Sequence, residues 1–478
     1  MAERMIREPL SGIDILIAGG GLAGLTAAIE CYRKGHNVRV VERRPGLDPF
    51  GDLIGIQSSA IRIMRKWPGF MEKLTEHDFG PNLHMYKFDG TLIGIFPLGI
   101  FDSDIGEGAI ALSRLDAHRA LHEYATALGI SIQHGINIRD YSETAEKGFA
   151  ILEDGSKLEA DLVIAADGVG GKAWGLVSGK KEEPVSSGYA VYRTTFPLEH
   201  ALKNPELAKV YDSEKPHVTA HIGYNTHIVT GKNKNKVCWM MTYLDDGNAT
   251  EDWSKTQSSD CALRYVKDWG SIVPALVNSV PNKEVIDWKL MWRNPQPKWV
   301  SPMGRVAQIG DAAHTLLPTS ASGATMAMED GIALAACLHI SGKNDIPLAA
   351  RVYNKLRFVD LDTPAFGTNA IPMLRFERVS CAQRMGFKTR EQWHHTDWDA
   401  IMKNPKPLSR IVGDWLAKHN PEQYSYDNYA ACAKNITEGA PFTNTNTPPG
   451  YIYEPWTVQD LLQAAKEGRD VLDAGDWS

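Results

Sequence analysis

The sequence predicts an α/β fold, in which a Rossmann-type nucleotide-binding domain is interrupted by a sheet of short strands and followed by a helical tail. Three observations predict it. A glycine-rich turn joins a strand to a helix at residues 14–35, two further apolar strands ending in acid–glycine pairs lie near 161–168 and 304–314, and β-like runs separated by polar turns fill 185–300.

The first element is the apolar run Asp14 to Ala18, which leads into Gly19-Gly20-Gly21-Leu22-Ala23-Gly24 and then into Leu25-Thr-Ala-Ala-Ile-Glu-Cys-Tyr-Arg-Lys, stopped by Gly35. In this G-x-G-x-x-G pattern Gly19 makes the tight turn, Gly21 lets the backbone approach a pyrophosphate, and Gly24 lets helix and strand pack closely. A phosphate group then sits on the helix N-terminus, where unpaired N–H groups and the helix dipole favour negative charge. The next run, Asn37-Val-Arg-Val-Val, ends in Glu42, an acid at about the spacing expected for one that accepts hydrogen bonds from ribose hydroxyls.

Later elements repeat the strand-to-turn theme. Asp161-Leu-Val-Ile-Ala-Ala-Asp167-Gly168 and Gly304-Arg-Val-Ala-Gln-Ile-Gly310-Asp311 each read as a buried strand ending at a polar turn. Between them, runs such as His217-Val-Thr-Ala-His-Ile and Val237-Cys-Trp-Met-Met-Thr-Tyr read as a sheet roofing a pocket. The tail beyond about 386 is rich in Trp, Tyr, Pro and Asn and is either a lid or a packed extension. The boundaries follow as 1–185 for the first part of the nucleotide-binding domain, 186–300 for the sheet domain, 301–385 for its second part and 386–478 for the helical extension.

Bulk composition narrows the function class. The chain has 478 residues, 43% hydrophobic and 23% charged, which suits a large folded core. A formal net charge of −7 without a basic run argues against nucleic acid. No stretch approaches the roughly 18 apolar residues of a membrane span, and the N-terminus lacks a signal-peptide pattern. The six cysteines are scattered, without metal-type spacing, and His394-His395 has no supporting ligand cluster, so no metal site is expected. A cytoplasmic protein, monomeric or weakly dimeric, is the expectation.

The three motifs together resemble group A FAD-dependent monooxygenases of the para-hydroxybenzoate hydroxylase type, over roughly residues 13–385. The resemblance implies a GR2-like flavoprotein fold and tightly bound FAD, with NADPH or NADH visiting transiently to deliver a hydride, and O₂ and a small aromatic molecule as co-substrates. It further implies that Asp311 binds the ribityl chain, that Arg114 in Ser113-Arg114-Leu115-Asp116 contacts the cofactor, and that the loop and helix from Pro318 through Gly323-Ala324 to Glu329-Asp330 face the flavin ring. For Arg114 the plain alternative is an exposed arginine at a helix start. A helix N-terminus there would stabilise anionic reduced flavin. One departure stands out: where the family has P-x-x-G-Q-G, this chain has Pro318-Thr-Ser-Ala-Ser-Gly323, and losing the first glycine would stiffen the loop.

Gly51-Asp52-Leu53-Ile54-Gly55-Ile56 occupies the place of a turn expected beside the flavin, where relatives commonly carry alanine at the second position. The nearest resemblance is to fungal indole-alkaloid monooxygenases that form spirooxindoles, which share this aspartate, an arginine matching Arg193 and a Trp-rich tail like Trp393-His394-His395 to Trp398 and Glu454-Pro-Trp456. The resemblance implies 2,3-epoxidation of a prenylated indole followed by a semipinacol rearrangement. Arg193 would orient the substrate or a carbonyl, and Asp52 would give or take a proton. Because relatives carry alanine there, Asp52→Ala is expected to be tolerated structurally; the other reading of Asp52 is a turn residue bonded to its own backbone. Phenol-hydroxylating relatives often place a tyrosine on the strand aligned with His227-Ile-Val-Thr230, where this chain has Thr230. Alternatives are hydroxylation of a phenolic polyketide or a salicylate-like acid, and a non-enzymatic flavin-binding sensor. A halogenase is disfavoured by the lack of a G-W-x-W-x-I-P segment.

Overall fold

Strand Asp14–Ala18 is buried from Ile15 onward, and it takes a central place in a five-stranded parallel sheet. The order is Val306–Gln308, Leu162–Ala165, Asp14–Ala18, Asn37–Glu42, Ser131–His134. The computed structural model describes residues 5–47, 52–106, 108–179, 183–213, 215–250, 255–296, 298–357, 378–409, 412–452, 454, 456–469 and 474–478. Gly51 and part of the expected 301–385 segment fall outside these residues. Both later apolar strands pair with or beside Asp14–Ala18, so the turns carrying Asp167 and Asp311 open at the same sheet end as the glycine turn. Crevices at the carboxyl ends of parallel strands are where such folds bind ligands.

Helix Leu22–Arg33 presses on this sheet because Gly24 has no side chain: a Cβ there would lie 1.9 Å from the Gly19 carbonyl oxygen. Helix Gly323–Ser341, buried along almost its whole length, packs against it. An antiparallel ribbon, Ile138–Glu143, Gly148–Leu152 and Lys157–Ala160, and a two-stranded pair, Leu53–Ile56 with Ile110–Ser113, complete this half.

The second sheet has eight strands, in the order Thr256–Ser258, Glu284–Trp292, Val185–Pro197, Lys236–Leu244, Thr226–Lys232, His217–Gly223, Asn82–Lys87, Leu92–Pro97. The last two come from 1–185, so the sheet is not drawn from 186–300 alone. Asn82–Lys87 pairs in parallel with His217–Gly223, a contact no local pattern announces. One face carries Tyr192, Trp239 and Tyr243, which pack with helices Ser259–Val266 and Ile272–Asn278. The opposite face, with Val191 and Arg193 alternating in register, looks toward the nucleotide-binding half.

The C-terminal helices are fastened at several points. Glu422, at the start of helix Pro421–Glu438, pairs with Arg33 at 2.5 Å and with Lys34 and Lys66. Arg378, opening helix Arg378–His394, holds both Glu329 oxygens at 2.9 Å and donates to backbone carbonyls of Trp415 and Leu416. Among the described residues no helix is long and apolar enough to cross a membrane.

Candidate functional site

Two adjoining cavities lie between the sheets. The first, about 500 Å³, runs from Glu42, Arg43, Arg44 and His134 past Gly19–Leu22 to Arg114, Arg293 and Asp311. The second, about 300 Å³, is largely apolar, with Leu83, Leu98, Val191, Val218, Val229, Met240, Trp288, Leu316 and Trp393 in its walls. Gly21, Arg114, Arg193 and Asp311 border both cavities, so the charged one opens into the apolar one.

The lining of the first cavity suits an extended dinucleotide. A Cβ on Gly21 would meet nothing within 4 Å, so this face of the turn is open at the N-terminus of helix Leu22–Arg33. Glu42 takes backbone N–H groups of Gly20 at 2.7 Å and Arg44 at 2.9 Å, which fixes its carboxylate at the cavity wall. Asp311 is half-buried on the shared wall; desolvation pushes its carboxyl up from the ordinary range, with Arg114, His314 and Arg293 opposing. The Gly310 turn is pinned by Asp330, which accepts from Gly310 N at 2.8 Å and bonds His314 Nε2 at 2.7 Å.

Gly323 and Ala324, at the start of helix Gly323–Ser341, line the apolar cavity, as does Gly55. Glu329 and Asp330, by contrast, do not face it. They sit in a buried ion network with Arg357 and Arg378, and the two guanidinium groups hold the Glu329 carboxyl well below the usual carboxylate range despite burial. Their task here is to position the turn and the tail. At the missing family glycine, Ala321 adopts a left-handed conformation, φ 47° and ψ 22°. The loop therefore keeps the glycine-type turn and strains its backbone instead of changing path. Gln57 supports it by donating Nε2–H to the Ala321 carbonyl at 3.0 Å.

Asp52 and Arg193 meet directly. Arg193 Nη1 donates to Asp52 Oδ2 at 2.6 Å, with both side chains buried, and the guanidinium lies 5.6 Å from the Trp288 ring centre. The Asp52 carbonyl also accepts from Arg114 N at 2.7 Å, at the head of helix Arg114–Ala127, so the turn, the cofactor cavity and the arginine form one unit. Among the described residues the side-chain bond of Asp52 goes to Arg193 and not to its own turn.

Thr230 does not stand where an assisting tyrosine would. It faces away from the cavity and shares a hydrogen bond with Tyr211, while His227 and Val229 of the same strand point inward. A one-residue offset in reading a strand exchanges its two faces. The tail does more than pack, since Trp393 forms part of the apolar wall. The sequence assigns no role to Arg293, Gln57, Trp288 or His227, because each lacks a motif of its own and reaches the site only through sheet pairing or loop closure. His227 and His394 are joined by a 2.7 Å Nδ1–Nε2 contact, and burial pushes His227 down to about 3. Among the described residues no group of three or more His, Cys, Asp or Glu is arranged to hold a metal ion.

Residues 12–344 match the family described as FAD binding domain. The chain is 36% identical to the FAD-dependent monooxygenase fsr3 of Gibberella fujikuroi, covering 99% of this chain and 91% of that protein. It is 33% identical to the FAD-dependent monooxygenase mdpD of Emericella nidulans, covering 99% and 92%. Among solved structures, CtdE in complex with FAD and a substrate superposes with a TM-score of 0.79 at 27% identity, covering 89% of this chain and all of that one. FqzB does so with a TM-score of 0.78 at 26% identity, covering 93% and 98%.

Proposed function

From the premise that this chain belongs to the FAD binding domain family and is an FAD-dependent monooxygenase, we propose that it oxygenates an uncharged, electron-rich polycyclic aromatic molecule held in the apolar cavity. The substrate is a prenylated indole alkaloid of fungal secondary metabolism, and the reaction is 2,3-epoxidation followed by semipinacol rearrangement to a spirooxindole. The observation that carries this reading is charge balance. Among the described residues, the cavity's charged side chains are two acids, Asp52 and Asp311, and two arginines, Arg114 and Arg193, and the central pair is mutually bonded. A salicylate-like acid would need an uncompensated cation, and His227 cannot supply one because burial keeps its ring neutral.

FAD bound here and reduced by NADPH or NADH would activate O₂, one atom of which goes to the substrate and the other to water. The chain's own contribution is positional. Arg193 presents N–H groups to a carbonyl or developing oxyanion, Asp52 holds the guanidinium in place and accepts or returns a proton, and the apolar walls keep water from the reacting centre. Glu42, the Gly19–Gly24 turn, Arg114 and Asp311 hold the cofactor in this reading.

A phenolic polyketide is the second reading, and the neutral imidazole of His227 favours it by offering a hydrogen bond to a hydroxyl or carbonyl on the cavity wall. Incubating the FAD-loaded enzyme with NADPH, O₂ and a panel of prenylated indoles and neutral phenols, with product mass as readout, separates the two. Conversion of an indole to a rearranged product heavier by one oxygen supports the first. Conversion of phenols alone replaces it with the second.

A further inference from the structure

Strand Thr226–Lys232 turns His227 and Val229 toward the apolar cavity, and helix Arg378–His394 ends with Trp393 in the same wall and His394 directly behind His227. The two imidazoles are tied by the 2.7 Å contact between His227 Nδ1 and His394 Nε2. Trp393 meets the His227 ring edge-on, with centroids 5.0 Å apart and planes at 89°, while Tyr189 packs on His394 at 4.8 Å. Neither ring can turn without breaking this packing. His227 Nε2 is then the ring nitrogen left for whatever occupies the cavity.

Which hydrogen Nε2 carries follows from the far end of the pair. Burial lowers the basicity of both rings, so both are neutral and one proton lies between them. If His227 donated that proton, His394 would bear its own on Nδ1, a buried atom with no hydrogen-bond partner among the described residues. A stranded buried donor costs about 1–3 kcal/mol, and folded proteins leave buried N–H groups without a partner more rarely than they leave acceptors under-satisfied, so the arrangement with a bare Nδ1 lone pair is the favoured one. If His394 donates instead, Nδ1 is left as a bare lone pair, and His227 must carry its proton on Nε2.

We infer that His227 donates a hydrogen bond from Nε2 into the cavity, to a carbonyl or hydroxyl oxygen of the aromatic substrate, and that His394 sets the tautomer that makes it a donor. This rests on the reading of the apolar cavity as the substrate site. His227 is a specificity residue, touching the substrate but not the reacting bond, and His394 is a positioning residue acting through it. The requirement is a substrate with an acceptor oxygen at its edge, distinct from any group held by Arg193.

Neutron diffraction from crystals of the FAD-loaded enzyme reads the tautomer directly. Deuterium on His227 Nε2 and His394 Nε2 is expected, and deuterium on His227 Nδ1 overturns the inference. In turnover of the best-converted panel compound, His227→Leu is expected to raise KM roughly two- to ten-fold with little change in kcat, the value of one neutral hydrogen bond. His227→Gln, which still offers an N–H, is expected to restore most of it, with FAD content unchanged in both. A wild-type enzyme that converts substrate while His227→Leu keeps its KM overturns this inference alone. A wild-type enzyme that converts no panel compound overturns the cavity reading and this inference with it.

Discussion

Arg193 and Asp52, 141 residues apart in sequence, form a buried ion pair at 2.6 Å where the nucleotide cavity opens into the apolar one. Asp52 Oδ2 is engaged by Arg193, while Oδ1 is buried and has no hydrogen-bond partner among the described residues, an unpaired polar atom of a kind that folded proteins rarely leave without a reason. A buried pair of this kind is weak evidence for stability, since desolvation offsets its attraction, but breaking it by removing one partner is costly.

Asp52→Ala therefore behaves differently from what its turn position suggests. Removing the carboxylate from this buried pair is expected to destabilise the fold by about 3–5 kcal/mol. Asp52→Asn keeps an acceptor for Arg193 and is the cleaner variant. It should retain FAD and consume NADPH, yet lose or redistribute product and release more hydrogen peroxide per hydride. Product and peroxide measured together check this, and unchanged coupling would leave Asp52 as a structural partner only.

Asp311→Ala should weaken FAD retention at least ten-fold while leaving the apoprotein's melting temperature close to wild type. The carboxyl is half-buried on the shared wall, where desolvation pushes it up and Arg114, His314 and Arg293 oppose the shift. Flavin content after gel filtration is the readout, and full retention would remove Asp311 from the cofactor site.

Ala321 makes a sharper structural test. Its φ of 47° costs an alanine about 1–2 kcal/mol. Ala321→Gly should match or exceed wild-type stability despite the added chain entropy of glycine, whereas Ala321→Val should be strongly destabilised. Thermal melts of the two variants compare them directly, and equal melting temperatures would show the loop to be unstrained.

Glu422 gives the C-terminal tail an acid-sensitive anchor. Arg33, Lys34 and Lys66 pull its carboxyl from 4.5 down to about 2. A depressed folded-state pKa means stabilisation that is complete above about pH 4.5 and lost as pH falls toward 2, worth at most about 3 kcal/mol. Limited proteolysis should release the tail helix in that window, and Glu422→Gln should be cleaved equally well at neutral pH. A variant as resistant as wild type at pH 7 would contradict this.

The nucleotide-binding half was legible because its determinants are local. Gly19, Gly21 and Gly24 act within one turn, and the strands Leu162–Ala165 and Val306–Gln308 are buried on both faces, the first reading as a continuous apolar run and the second broken only by Gln308. The strand Ser131–His134, four residues of mixed polarity at the sheet edge, carries no such signal. The same holds for Asn82–Pro97, whose place in the second sheet depends on a parallel pairing with residues more than a hundred positions away. Arg193 and Asp52 were each picked out by resemblance, but their contact, and that of His227 with His394, exists only once the two sheets and the tail are assembled. Thr230 was misplaced because alternation along a strand gives its two faces and not which one meets the cavity.

The measurement that bears most directly on the whole account is the yield of oxygenated product per NADPH for wild type and Arg193→Leu, both loaded with FAD and given the same converted substrate. The variant loses stability because the buried Asp52 carboxylate is left without Arg193, but it is expected to fold, keep its flavin and still consume NADPH, with product falling to about 1% and peroxide rising in its place, a loss of roughly 2.7 kcal/mol of transition-state stabilisation. Wild-type product yield from the flavin-loaded variant would contradict the assignment of Arg193 to the substrate and, with it, the proposed role of the cavity junction.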